Sequence, residues 1–454
     1  MRIITSGEFD SYWRALSASP DSMDADEGVT LAVSRIIRAV QEKGDEAVRS
    51  FASQFDKSSP QTLEVPPGAA QAAWEGLNRE EPDLAAALEL AAEHLYRFSK
   101  EQKAQFADFE YEMAPGLITG QRVIPVQRAA VYVPGGRFPL ISSVLMGAIP
   151  AFAAGVEEVI LASPPREDGL PDPRILAAAC LAGIRGGFPP PRIFAIGGAQ
   201  AIAALALGTE TVPRVDLIAG PGNKYVAAAK RLLFGRVGID FVAGPTDVLI
   251  IADDSAPADL TAADLLAQAE HDPDARARAL VPRRDLAEAI LAALERRLAS
   301  LPTAPVARAS LDAGGLIVVY HTPEEAVRIA NTIAPEHLEL QTARPGDWIP
   351  SLKNYGSLFI GTHAAEVLGD YSAGINHTLP TSASARFTGG LSVRHFLKTL
   401  TSLRCAPGQG YEKALQAAES IARSENLAAH ARSAAARQKP LPGPAAQDPA
   451  ALHP

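Results

Sequence analysis

Apolar residues recur at helical spacing from Val29 onward (Leu31, Val33, Ile36, Ile37, Val40), and the pattern predicts an amphipathic helix over 29–57. Two more helical stretches, rich in Ala, Leu and Glu, fall between Gly68 and Gln105. The texture then changes: residues 117–133 are β-rich runs broken by Gly and Pro, ending in Tyr132-Val133-Pro134-Gly135-Gly136. Beyond them, short apolar runs alternate with helical stretches. The runs are Val159-Ile160-Leu161, Ile193-Phe194-Ala195-Ile196, Val215-Asp216-Leu217-Ile218, Val248-Leu249-Ile250-Ile251, 315–320 and 357–360; helices are predicted over 175–181, 199–207, 223–233, 259–270 and 324–333. Fully apolar strands alternating with helices predict a parallel α/β sheet covered on both faces. One last helix is predicted over 412–437, and the Pro/Ala-rich residues 438–454 read as a disordered tail.

Composition narrows the function classes. With 454 residues, 47% apolar and 21% charged, the chain can bury a large core, and its length suggests about three domains. Lys+Arg number 42 against 52 Asp+Glu, a net charge of −10, so nucleic acid is not expected as the main partner. Cys180 and Cys405 form no C-x-x-C pair, which excludes thiolate zinc clusters and makes a reducing compartment the default. No secretory start and no run of 18 apolar residues is seen, so a membrane partner is not expected.

Four constellations can carry chemistry. In Gln268-Ala269-Glu270-His271, Gln268 and His271 stand at i and i+3 on one helix face and can both bind a divalent metal; a helix-end histidine near the C-terminal dipole accounts for the motif as well. Pro335-Glu336-His337-Leu338-Glu339-Leu340 sets an acid beside a base at a strand end, where α/β sheets carry active groups; a solvated Glu-His pair is the plainer reading. Leu368-Gly369-Asp370-Tyr371 and Gly374-Ile375-Asn376-His377-Thr378 put a carboxylate and an imidazole in one Gly- and Pro-punctuated loop, where Asp370 can equally be a turn cap. Glu425 and His430, five apart on the last helix, share a face only imperfectly and read in isolation as solvated. The turns at Gly197-Gly198 and Gly220-Pro221-Gly222 open helices, which suits anions, but neither is the G-x-G-x-x-G dinucleotide fingerprint.

Taken together, these segments closely resemble the histidinol dehydrogenases over about 29–437. The markers are V-Y-V-P-G-G at Val131 to Gly136, S-S-V-L-M at Ser142 to Met146, G-G-A-Q-A-I-A-A-L-A at Gly197 to Ala206 and A-G-P-G-N-K-Y-V-A at Ala219 to Ala227. G-I-D-F-V-A-G-P-T at Gly238 to Thr246, Q-A-E-H, A-P-E-H-L-E at Ala334 to Glu339, L-G-D-Y-S-A-G and N-H-T-L-P-T within Leu368 to Thr381, and A-R-F at Ala385 to Phe387 follow in the family order. The resemblance implies a zinc- and NAD-dependent oxidation of L-histidinol to L-histidine through the aldehyde, in two hydride transfers, the last step of histidine biosynthesis. It implies Gln268, His271, Asp370 and His430 as metal ligands, with Glu336 and His337 as the acid-base pair: His337 takes the alcohol proton and Glu336 activates water on the aldehyde. It implies substrate contacts from Thr246, Gln268, His271, His337, Glu366, Asp370, His377, Glu425 and His430, and NAD contacts from Tyr132, Gln200 and Asn223. It further implies a cytoplasmic homodimer whose C-terminal helices reach the partner's site, which would give Glu425 and His430 their role.

The same resemblance implies two incomplete Rossmann-like parallel-sheet domains with small helical extensions: an N-terminal arm over 1–26, a metal and substrate domain over 27–131 and 247–391, an NAD domain over 132–246, and a C-terminal helical extension over 392–437. The chain departs from the family in three places. Ala243-Gly244-Pro245-Thr246-Asp247 stands where A-G-P-S-E is usual, so Thr246 keeps the hydroxyl and adds a methyl. Arg137-Phe138-Pro139-Leu140-Ile141 replaces K-A-A-Y-P, and the Asn354 to Phe359 and Thr388 to Leu391 segments lean towards the sulfopropanediol 3-dehydrogenases, which oxidise a sulfonated diol. That alternative needs cationic donors for a sulfonate, whereas histidinol needs a pocket for a neutral ring.

Overall fold

The structure, a computed structural model, describes residues 1–17, 27–56, 58, 62–135 and 139–438. The chain forms two compact units, one of residues 1–104 with 125–397, the other of 105–124 with the chain from Lys398.

The first unit holds two parallel sheets. One has six strands in the order Arg2–Thr5, Leu316–Val319, Arg276–Val281, Asp247–Ala252, His337–Gln341, Ser357–Ile360. Its central strands are mostly apolar and buried because both faces are covered, with polar exceptions such as Asp247, Arg278, His337 and Glu339, and successive residues feed two separate cores. Val248, Ile250, Ala277, Ala279 and Ile317 pack against the helices Ala258–Ala269, Arg284–Leu298 and Ala304–Gly314. Leu249, Ile251, Leu280, Val318 and Leu338 pack on the other side against Phe9 and the helix Pro323–Ile333. The other sheet has five strands in the order Arg192–Ala195, Glu158–Ser163, Arg128–Tyr132, Leu217–Ala219, Gly238–Ile239. The helix Ile141–Ala154 lies so close to it that a Cβ at Gly147 would stand 2.3 Å from Val131, which only glycine avoids.

Several boundaries differ from those read in the sequence. The N-terminal arm is an edge strand, Arg2–Thr5, followed by the helix Ser6–Ser17; an edge strand needs only a short half-buried run, so its polar surroundings hid it. The boundary at 131/132 cuts through the strand Arg128–Tyr132, which pairs with Glu158–Ser163. Residues 105–124 leave the first α/β domain and join the second unit, where Phe109–Ala114 and Leu117–Pro125 form an antiparallel pair in a three-stranded sheet with Leu397–Cys405. The helix over 29–57 is three pieces, Glu27–Lys43, Asp45–Phe51 and a π-helical turn Ala52–Asp56. The first break falls at Gly44 (φ +52°), where the Glu210 carboxylate fills the place of a side chain and accepts from the Asp45 N–H at 2.8 Å. The C-terminal helix is two, Gln409–Ser424 and Ala428–Ala436, interrupted where Asn426 takes a left-handed conformation (φ +60°). Apart from Gln438, the expected disordered tail lies outside the described residues.

A buried ion pair fixes the Gly220 turn. Lys230 and Asp240 are both buried and face each other; Lys230 Nζ also donates to the Gly220 carbonyl at 3.0 Å, and Asp240 accepts from the Gly220 N–H at 2.8 Å. Removing one partner strands the other charge without solvent. Lys230→Met is therefore expected to lower the unfolding free energy by about 3–5 kcal/mol in urea titration; a loss below about 1 kcal/mol would mean that water reaches Asp240.

Candidate active site and metal centre

Thr246, Gln268, His271, Glu336 and His337, singled out in the sequence, gather at the amino edge of the six-stranded sheet. Thr246 and Asp247 open one strand and Glu336 and His337 open its neighbour. The helix Ala258–Ala269 runs back to the same edge and brings Gln268 and His271 to it. The strand-end rule that pointed to Glu336-His337 concerns the carboxyl edge of such sheets; here the pair lies at the opposite edge, because it stands where its strand begins instead of where it ends.

A hydrogen-bond chain orients the first group. The Thr246 hydroxyl donates to Glu336 Oε2, which also accepts from the Asp247 N–H at 3.0 Å. Having given its proton to the carboxylate, that hydroxyl accepts from Gln268 Nε2 at 2.9 Å. The Gln268 amide is thereby fixed with its carbonyl turned away, and this Oε1 is buried without a partner. An orphaned, fully buried carbonyl oxygen suits a cation. Burial pushes the Glu336 carboxyl up to about 7, against the pull of His337.

His337 is enclosed. Its Nδ1 lies 3.3 Å from the Asp247 carbonyl, which can only accept, so Nδ1 carries the proton and a neutral ring keeps its lone pair on Nε2. That Nε2 has no hydrogen-bond partner and lies 3.6 Å from Asp370, while Glu366 and Glu336 stand 3.7 and 3.9 Å from Nδ1. Burial works against a charged ring, but the charges of Glu366, Glu336 and Asp370 override it and raise His337 well above the usual imidazole range. Asp370 is buried too, yet the nearby His337 holds it below the usual carboxylate range.

His271, Glu366 and Asp370 each offer a ligand atom, all within 4.8 Å of one another. Glu366 is raised well above its ordinary range, first by burial, and its Oε2 has no partner. One divalent ion would neutralise this surplus of carboxylates and satisfy the free oxygens of Glu366 and Gln268, so the donor set fits a metal bound by nitrogen and oxygen. His377 ties the loop down: Nδ1 donates to the Asp370 carbonyl at 2.9 Å, and Nε2 meets the Ser143 hydroxyl at 3.3 Å.

Tyr132, Gln200 and Asn223 belong to the other sheet, at the carboxyl edge of its five strands. The Tyr132 hydroxyl accepts from the Gly198 N–H at 3.0 Å, and Gln200 is buried. Asn223 caps the helix Lys224–Leu233, accepting from the Tyr225 and Val226 N–H groups. Glu425 and His430 belong to the second unit, where both are exposed.

Sequence reasoning missed the layer beneath the site. Gln341 donates to Glu339 at 2.9 Å and to Asp264 at 2.7 Å, and Glu339 accepts from the Glu366 N–H at 2.9 Å, so it pins the start of the helix Glu366–Tyr371 that carries Asp370. Burial, with the Asp264 charge, pushes Glu339 up to about 8. Asp247 accepts from the Glu336 N–H and faces the buried Arg278 at 3.6 Å. For Asp247, Glu339 and Arg278 the sequence signal was a charge at a strand position whose neighbours are apolar.

The histidinol dehydrogenase family profile matches residues 20–438. Histidinol dehydrogenase of Thermus thermophilus is 48% identical over 90% of this chain and 94% of its own, and that of Pseudomonas savastanoi pv. phaseolicola is 44% identical over 90% and 89%. The crystal structure of histidinol dehydrogenase from Elizabethkingia anophelis superposes with a TM-score of 0.86 at 33% identity, covering 94% of this chain and 95% of that one. With nearly its whole length matched in sequence and in shape, this chain belongs to the histidinol dehydrogenase family.

Proposed function

We propose that the cluster around His337 is the site at which this chain, an NAD-dependent oxidoreductase of the last step of histidine biosynthesis, converts L-histidinol to L-histidine. The single observation that carries the site assignment is one buried imidazole ringed by three carboxylates at 3.6–3.9 Å, beside free oxygens on Gln268 and Glu366. Such surplus negative charge suits a divalent ion and the ammonium of an amino alcohol, and is hostile to a sulfonate; the buried Arg278 faces Asp247 instead. Gln268, His271 and Asp370 are the ligands assigned to zinc, completed by His430 of the partner subunit in a homodimer.

Zinc when bound supplies Lewis acidity to the substrate oxygen, and NAD supplies the hydride acceptor in each of the two oxidations. With a cation offsetting the charges of Glu366, Glu336 and Asp370 that hold it protonated, the His337 ring would be neutral; held at Nδ1 by the Asp247 carbonyl, it receives the alcohol proton at Nε2 as a hydride leaves the carbinol carbon. Glu336 then takes a proton from the water that adds to the aldehyde, and a second hydride leaves the hydrate to give the carboxylate. Thr246 keeps Glu336 and Gln268 in register throughout. Glu366, with a free oxygen, accepts from the substrate's donor groups, and His377 holds the Asp370 backbone.

The purified protein should form two NADH per L-histidinol, stop on chelation and recover with zinc. Absence of turnover with the metal replaced would refute this reading. Glu336→Gln tests the water step. Glu336 works only when ionised, and its group titrates near 7, so aldehyde oxidation should rise as pH climbs through about 7. In the variant that limb should vanish and aldehyde oxidation fall about 10²- to 10³-fold, with the alcohol step less affected. A pH profile unchanged in the variant would assign the limb to another group.

A further inference from the structure

The five-stranded sheet carries a second set of buried polar atoms without partners: Asp56 Oδ2, Ser163 Oγ and Gln200 Nε2. Ser163 and Gln200 are almost wholly buried, and native folds rarely leave such groups unpaired unless a ligand completes them. The three converge on one glycine-lined floor. A Cβ at Gly197 would stand 2.7 Å from the Pro164 ring and 3.2 Å from Asp56 Oδ1; one at Gly135 would stand 3.3 Å from the same ring and 3.5 Å from Ser163 Oγ; one at Gly198 would stand 2.7 Å from Gln200 Oε1. The Tyr132 hydroxyl closes the group through the Gly198 N–H.

Topology says what the floor would hold. The strand order reverses between Arg128–Tyr132 and Leu217–Ala219, and nucleotides lie over the carboxyl edge beside such a reversal. In that arrangement an acid at the end of the second strand takes the hydroxyls of the adenosine ribose. The second strand here, Glu158–Ser163, ends in Ser163-Pro164-Pro165 and offers no carboxylate. The acid arrives instead from far away in the chain, on the π-helical turn Ala52–Asp56. Burial lifts Asp56 to about 6, so it is largely ionised at neutral pH. Arg166, just past the prolines, is tied to Asp168 at 2.6 Å.

Resting on the NAD reading above, we infer that Asp56 selects the dinucleotide: its carboxylate accepts from the adenosine ribose hydroxyls beside Ser163, and its charge rejects a 2′-phosphate. Calorimetric binding of NAD and of NADP to the full chain tests this without turnover. The wild type should prefer NAD by about 100-fold or more. Asp56→Ala should weaken NAD about tenfold or more and bring the preference below about fivefold. Asp56→Asn, which keeps the shape and removes the charge, should narrow the preference while costing less NAD affinity, and it carries the test if the alanine variant fails to fold. If both variants keep the NAD affinity within about twofold and the preference unchanged, the Asp56 assignment is wrong although the NAD reading stands. A wild type that binds neither dinucleotide overturns both.

Discussion

His337→Asn is expected to cut turnover of L-histidinol about 10³-fold while zinc stays bound at the wild-type stoichiometry. The ring is anchored by Nδ1 to the Asp247 carbonyl, and its Nε2 is the nitrogen left without a partner. Asparagine can keep the anchoring hydrogen bond and part of the volume, but it cannot accept and release a proton. The loss should therefore appear in kcat and leave KM nearly unchanged. Turnover within about tenfold of wild type would remove His337 from the proton path. Loss of zinc in parallel would instead make it part of the metal shell.

His271→Asn and Asp370→Ala are expected to abolish zinc retention and reduce activity to background. His271 is exposed, whereas Asp370 is buried among carboxylates whose mutual repulsion a cation relieves. Neither change removes apolar packing: the Asp370 carbonyl that holds His377 belongs to the backbone and survives the substitution. Far-ultraviolet circular dichroism should stay that of wild type while metal analysis reads no zinc. A His271→Asn protein with a full zinc complement would show that the ion is held elsewhere.

The parallel sheets were legible because strands covered on both faces must be apolar at every position, as Leu316–Val319 and Asp247–Ala252 nearly are. The edge strand Arg2–Thr5 was not, since half-burial leaves a weak pattern over four residues. The break at Asn426 escaped because a left-handed asparagine looks like any polar helix residue. At the site, the i, i+3 spacing predicted Gln268 and His271 on one helix face; the helix ends at Ala269, and His271 stands on the turn just beyond it, its N–H donating to the Gln268 carbonyl at 3.4 Å. What turns the Gln268 carbonyl outward is the Thr246 hydroxyl, 22 positions away, and no local pattern reports it. Glu339, Asp264 and Arg278 were passed over for a related reason: their partners come from other strands and helices. Asp56 was read as the end of an amphipathic helix, which says nothing of the Gly197 floor it meets.

The direction of the strands sorts charge in this molecule. At the amino edge of the six-stranded sheet the helices Ala258–Ala269 and Pro323–Ile333 finish, presenting carbonyl ends worth roughly half a negative charge each. At the carboxyl edge of the five-stranded sheet the helices Gly198–Leu207 and Lys224–Leu233 begin, presenting N–H ends of the opposite sign. Backbone dipoles alone therefore favour a cation at one rim and a pyrophosphate at the other, before any side chain is chosen.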